Sequence, residues 1–325
     1  MDDRERAEQP ETGYRYTQAQ IDRRLTKHMQ DAAISQGLRV ADAWSDWLCI
    51  TEMTLRMTPV HAKSVFEHGT LAQDPPEIAA EWARIKARYG DGFQHLEAAY
   101  GDLLHCIQPI AGIEPEIRDV LGPLHMAIGN ANIKLGQFFT PWELSLVAAQ
   151  STMEGAATLV YQRMEQAIRS NPMLAMMTPQ TDGWINDDNA RSIAESLLPI
   201  VWERYDTVTI YDPSCGSGGM LLAAAAILPR WMVVMGLVAF YGQDLSRDCT
   251  RMTQINMMLF GLNGWGLRFT TAMAHLRESP LAKRFREEVP PTAPEPMIAS
   301  VSVCPTDTMY PDIEIGAQGA LFNLH

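Results

Sequence analysis

The sequence predicts an α/β chain in which a helical domain precedes a parallel sheet covered by helices. Three observations carry this. From about Gln18 to Ala127 the apolar residues recur at helical spacing, with no strand-like alternation and no repeat. Beyond residue 206, short β-branched and aromatic runs alternate with helical patterns, the order of a parallel sheet. A glycine-rich turn joins the first of these runs to the helix after it.

Residues 1–15 read as a disordered tail, 16–130 as the helical domain and 131–325 as the sheet-bearing domain. Within the helical part, Ile78, Trp82, Ile85, Tyr89, Phe93 and Leu96 form the stripe of an amphipathic helix. Gly90 weakens that helix and is expected to split it, and Pro75-Pro76 marks a loop before it. In the second part, TVTIY at 207–211 and LVAFY at 237–241 read as buried strands, with 266–271 and 297–303 as the third and fourth. Helices are expected over 219–228 and 246–260. The second carries Cys249, Met252, Ile255 and Leu259 on one face and stops at Gly261.

Composition narrows the class. With 46% hydrophobic and 20% charged residues, the chain is neither disordered nor a coiled coil. Cys49, Cys106, Cys215, Cys249 and Cys304 are too scattered for a disulfide scaffold, and none forms a C-x-x-C pair. The charged start is not a signal peptide, and Pro229-Arg230 breaks the most apolar stretch, so a cytoplasmic protein with no membrane span is expected. The net charge is −13, and neither half is basic. A protein that grips DNA alone neutralises phosphates with a positive face. If DNA is the substrate, a partner is expected to supply much of the grip.

Chemistry concentrates in three segments. Asp212-Pro213-Ser214-Cys215-Gly216-Ser217-Gly218-Gly219 follows a strand and opens a helix. Its glycines allow a tight turn and close approach of a ligand to the backbone, and the helix amides beyond it suit an anionic group. It is neither G-x-G-x-x-G nor G-x-x-x-x-G-K, which disfavours a dinucleotide and a nucleoside triphosphate. Asp244 ends the second strand, where an acid can accept from both ribose hydroxyls of a nucleoside. Upstream, Gly136-Gln137-Phe138-Phe139-Thr140-Pro141-Trp142-Glu143 reads as an apolar entry to a helix. Thr140 would be its cap, Pro141 its first residue and Glu143 the capping partner. No histidine spacing marks a metal site.

Together GQFFTP, DPSCGSGG and YGQD, in this order, resemble the adenine-specific DNA methyltransferases, especially the modification subunits of type I restriction systems. The resemblance covers about residues 125–276. It implies a Rossmann-like sheet and S-adenosylmethionine as cofactor. Asp212, Pro213, Cys215, Gly216 and Gly218 would line its methionine part, Phe139, Thr140 and Pro141 would close over it, and Asp244 would bind its ribose. DNA is the implied substrate, with a specificity or complementary methyltransferase subunit as partner.

The chain also departs from that family. Its Asn/Asp-Pro-Pro-aromatic tetrad, which holds the flipped adenine, is absent. Asn171-Pro172-Met173 precedes the glycine turn, and Val289-Pro290-Pro291-Thr292 lacks both amide and aromatic. The fourth strand runs instead into Cys304-Pro305-Thr306-Asp307, where a buried structural cysteine is expected rather than a nucleophile. The remaining residues are too few for the family's later strands, so the sheet is expected to be cut after its fourth. Two readings follow: an adenine methyltransferase, or a catalytically inactive relative acting as partner or regulator of a modification system.

Overall fold

The computed structural model describes residues 16–107, 116–128 and 139–262. The tail, the expected third and fourth strands, Val289-Pro290-Pro291-Thr292, Cys304 and the segment Gly136-Gln137-Phe138 lie outside these residues. The described elements run in order α1 (Gln18–Gln36), α2 (Val40–His68), α3 (Pro76–Tyr89), α4 (Phe93–Cys106), α5 (Leu121–Ala127) and α6 (Trp142–Thr152). They continue as α7 (Ala156–Arg169), α8 (Pro172–Met177), α9 (Ala190–Ser196), β1 (Val208–Asp212), α10 (Gly219–Ile227), α11 (Arg230–Val234), β2 (Val238–Gly242) and α12 (Arg247–Leu259). The described part is therefore mainly helical, with β1 and β2 paired in parallel.

The described residues group into two units, each discontinuous in sequence. The first takes those within Met1–Ser145, Pro213–Ala223 and Gly242–Phe260; the second takes those within Leu146–Asp212 and Ala224–Tyr241, with Gly261 and Leu262.

In the first unit, α1 packs against α4, α2 and α5, and α12 packs against α2. Local sequence explains each start and stop. Thr17 and Gln20 form a reciprocal capping box at the head of α1. At its end Gly37 turns left-handed at φ 63°, and the Leu38 amide reaches back to Ala33 O at 2.9 Å. Ile21, Leu25, Met29 and Ala32 recur every three or four residues and are fully buried. Gly90 does split the long stripe: α3 ends at Tyr89, and a 3₁₀ turn over Gly90–Gly92 leads into α4. Pro76 is not part of a loop but the first helical residue, where a missing N–H costs nothing. Arg24 is held by both oxygens of Asp102 at 2.9 and 3.1 Å.

In the second unit, α7 packs on α8 and β1. Leu237 O, just before β2, accepts the amide of Val208 at 3.2 Å and the Tyr205 hydroxyl at 2.9 Å. Buried Glu165 on α7 holds the amides of Gly183 and Ile185 and so ties down the segment before α9. Among the described residues no helix is long and apolar enough to cross a membrane.

Candidate functional site

β1 delivers the chain at Asp212 into the glycine turn. The turn bends twice through conformations that side chains avoid, with φ 57° at Gly216 and 88° at Gly218. The Gly218 amide closes on Cys215 O at 2.7 Å, and the Leu222 amide on Gly218 O at 2.9 Å starts α10. On the neighbouring segment Gln243 O takes the Cys215 amide at 2.9 Å.

Asp244 follows directly. One carboxylate oxygen accepts the Gly216 amide at 3.0 Å and the other the Ser246 amide at 2.8 Å. Ser246 caps α12, its hydroxyl accepting from the Cys249 amide. α12 then sends polar side chains back at the turn. The Thr253 hydroxyl lies 3.0 Å from Gly216 O and 3.2 Å from Cys215 Sγ. Asn256 donates from Nδ2 to Ser217 O at 2.9 Å. Thr253 and Asn256 are three apart and share a helix face.

Behind the turn sits Asp119, in the segment leading to α5. Its carboxylate accepts the Ser217 hydroxyl, the Gly122 amide at 2.9 Å and Asn256 Nδ2 at 2.9 Å. Burial pushes its pKa above the ordinary aspartate value, and the bonds from Ser217, Gly122 and Asn256 pull against that rise.

Phe139 covers the turn from another side. A Cβ added at Gly216 would lie 2.7 Å from Phe139 Cε1, so the ring rests on bare backbone. The same ring meets His125 edge-on at 5.5 Å, and His125 Nδ1 accepts from Trp44 Nε1 at 2.9 Å. Trp44 stacks on Trp47 at 5.2 Å. The Phe139 ring is therefore seated against a row of buried rings, His125, Trp44 and Trp47.

The structure thus brings Phe139, Cys215, Gly216, Gly218 and Asp244 together. Asp212 ends β1, and Pro213, Thr140 and Pro141 are exposed. Cys215 is buried with its thiol toward Thr253 and Gly242, so its side chain seats the turn. α6 begins one residue later than the capping pattern places it: Pro141 O accepts the Ser145 amide at 3.0 Å, so Pro141 is its cap. Sequence reasoning missed Asp119, Ser217, Thr253, Asn256 and His125. No local pattern marks them, as Asp119 stands in the mixed run Ile117-Arg118-Asp119-Val120. Among the described residues no group of His, Cys, Asp and Glu side chains is placed to hold a metal.

Residues 189–280 match the N-6 DNA methylase family model. The chain is 36% identical over 56 residues to a type I restriction enzyme MjaIX methylase subunit of Methanocaldococcus jannaschii, covering 17% of this chain and 10% of that protein. It is 32% identical over 74 residues to a type I restriction enzyme MpnII methylase subunit of Mycoplasma pneumoniae, covering 22% of this chain and 13% of that one. The matched segments are thus about a tenth of these relatives' length. No solved structure matches. The resemblance to adenine-specific DNA methyltransferases holds over this segment.

Proposed function

Because residues 189–280 match the N-6 DNA methylase family, we propose that this chain binds S-adenosylmethionine and serves methyl transfer to adenine amino groups in DNA. The observation that carries this is the Gly216 turn, braced by Asp244 and covered by Phe139. The curated matches are both methylase subunits, which favours an enzymatic role over that of an inactive relative.

The residues fit that cofactor. Gly216 and Gly218 hold the positive φ that the tight turn needs, with Phe139 and Thr253 against their bare faces, and the start of α10 adds amides suited to a carboxylate. Asn256 Oδ1 and Ser145 Oγ are fully buried polar atoms with no hydrogen-bond partner, so acceptor and hydroxyl capacity remains beside the turn. Asp244 accepts two backbone amides and a hydrogen bond from the Cys249 side chain, and an ionised carboxylate has about four acceptor sites. Ribose hydroxyls can therefore share it. Leu245, wholly exposed after Asp244, offers an apolar face for a base.

Bound here, S-adenosylmethionine would supply an electrophilic methyl group for adenine's exocyclic nitrogen, with the thioether leaving and one amino proton passing to water. The chain's own part is to orient: the turn fixes the amino-acid end, Asp244 the sugar, and Phe139 excludes water. Such positioning can lower a barrier by several kcal/mol. In this reading the sheet is Rossmann-like, and the DNA is held with a specificity or complementary methyltransferase subunit, consistent with the net charge of −13. Calorimetric titration with S-adenosylmethionine tests the proposal. Saturable binding is expected, and its absence at millimolar cofactor would overturn it.

A further inference from the structure

Resting on that cofactor reading, we propose that Asp119 is a positioning residue: it fixes the shape of the glycine turn, and so cofactor affinity, from the segment that leads into α5. Four contacts support this. Its carboxylate takes the Ser217 hydroxyl from the middle of the turn and Asn256 Nδ2 from α12. It takes the Gly122 amide from α5. An added Cβ at Gly219 would stand 3.4 Å from Asp119 Oδ2, so the carboxylate also abuts the first residue of α10. A side chain at Gly122 would overlap both Asp119 and Ser217, which shows how closely α5 is drawn to the turn. One buried carboxylate therefore joins α5, the turn and α12, the same helix whose cap lies two residues from Asp244.

The geometry separates this role from general stabilisation. Ser217 lies between Gly216 and Gly218, both held at positive φ. Losing the anchor at Ser217 frees the two glycines on either side to leave that region, because glycine visits many conformations at little cost. The turn would relax before the fold does.

The test compares Asp119→Ala, Asp119→Asn and Ser217→Ala with Asp46→Asn. Asp46 is a comparably buried acid, bonded to Arg88 and Tyr89 in the helical bundle, and takes no part in the turn. The readouts are S-adenosylmethionine Kd, amide hydrogen exchange over residues 213–219, and thermal melting. Asp119→Ala is expected to raise Kd at least tenfold and to speed exchange over 213–219. Asp119→Asn, which keeps one acceptor oxygen, should fall between it and wild type. Asp46→Asn should lower the melting temperature and leave Kd within about twofold. Should Asp119→Ala fail to fold, Asp119→Asn and Ser217→Ala decide by the same readouts. A lower melting temperature with Kd and local exchange unchanged would overturn the proposal. If wild type binds no cofactor, the cofactor reading falls alone, and unchanged exchange in the variants would bring down this one as well.

Discussion

Asp244 Oδ2 accepts the backbone N–H of Gly216 at 3.0 Å, so the acid at the end of β2 and the turn after β1 are one hydrogen-bonded unit. A carboxylate expected only to meet a ribose also braces the place where the methionine part would lie.

Asp244→Ala should therefore weaken S-adenosylmethionine twice over, through the lost ribose bond and the loosened turn. A hydrogen bond to a charged group contributes about 1.5–3 kcal/mol, which is roughly a ten- to hundredfold loss of affinity. Asp244→Asn keeps one acceptor and should lose less. Calorimetry on both variants, with melting curves to confirm folding, checks this. An unchanged Kd would assign Asp244 a purely structural role.

Gly216→Val should abolish measurable binding. The position sits at φ 57°, and a Cβ there would press into the Phe139 ring at 2.7 Å. Strain of this kind costs about 1–3 kcal/mol, before any clash with a ligand. Gly216→Ala should be milder but still at least tenfold weaker in affinity. Binding at wild-type strength would show that the ligand lies elsewhere.

His125 should make the protein acid-sensitive. Its Nδ1 accepts from Trp44, which leaves the proton on Nε2 of a neutral ring. Burial pushes its pKa below the ordinary 6.5, against an opposing pull from Asp248. The unfolded chain then binds the extra proton first, so stability is lost as pH falls from about 6.5 toward the folded value. The limiting slope is about 1.4 kcal/mol per pH unit. His125→Gln, able to accept from Trp44 without titrating, should flatten that part of the profile. Denaturant melts between pH 7 and 5 measure it.

The polypeptide alone should bind cofactor yet transfer methyl groups very slowly. Adenine's amino lone pair is delocalised into its ring, and the tetrad whose acceptors draw on its hydrogens is absent from this sequence. Tritiated methyl transfer to unmethylated genomic DNA is the assay. Robust turnover by the purified chain would mean that an acceptor not recognised in this sequence performs that task.

The buried thiols should be inert in the native protein. Burial pushes Cys49, Cys106 and Cys249 up to about 11, far above neutral pH. Alkylation at pH 8 should leave these three unmodified until denaturant is added, as mass spectrometry of the digested protein would show.

Local chemistry made much of this legible. Ser246 and Gly261 bracket α12 as the cap and stop signals require, and Gly90 divides the long stripe where the pattern weakens. Asn171-Pro172, set aside as a tetrad because it precedes the glycine turn, starts a helix: Asn171 Oδ1 accepts the amides of Met173 and Leu174. What was not legible is long-range. α12 reads as an amphipathic helix with one apolar face, yet Thr253, Gln254 and Asn256 are buried with Met252 and Ile255. Its second face is covered because Thr253 and Asn256 meet the glycine turn, and no periodicity encodes a partner. Asp119 looks equally ordinary until α5, α10 and α12 surround it.

The Asp119 contacts also bear on how the protein acquires its shape. They span 98 positions to Ser217 and 137 to Asn256. Contacts of such separation form only after large loops have closed, and closure entropy makes them slow. The helices α1 to α5 emerge from the ribosome first, so the buried carboxylate waits for partners synthesised much later. The glycine turn gains its final form at the end of folding, and cofactor added during refolding should accelerate no step before that last one.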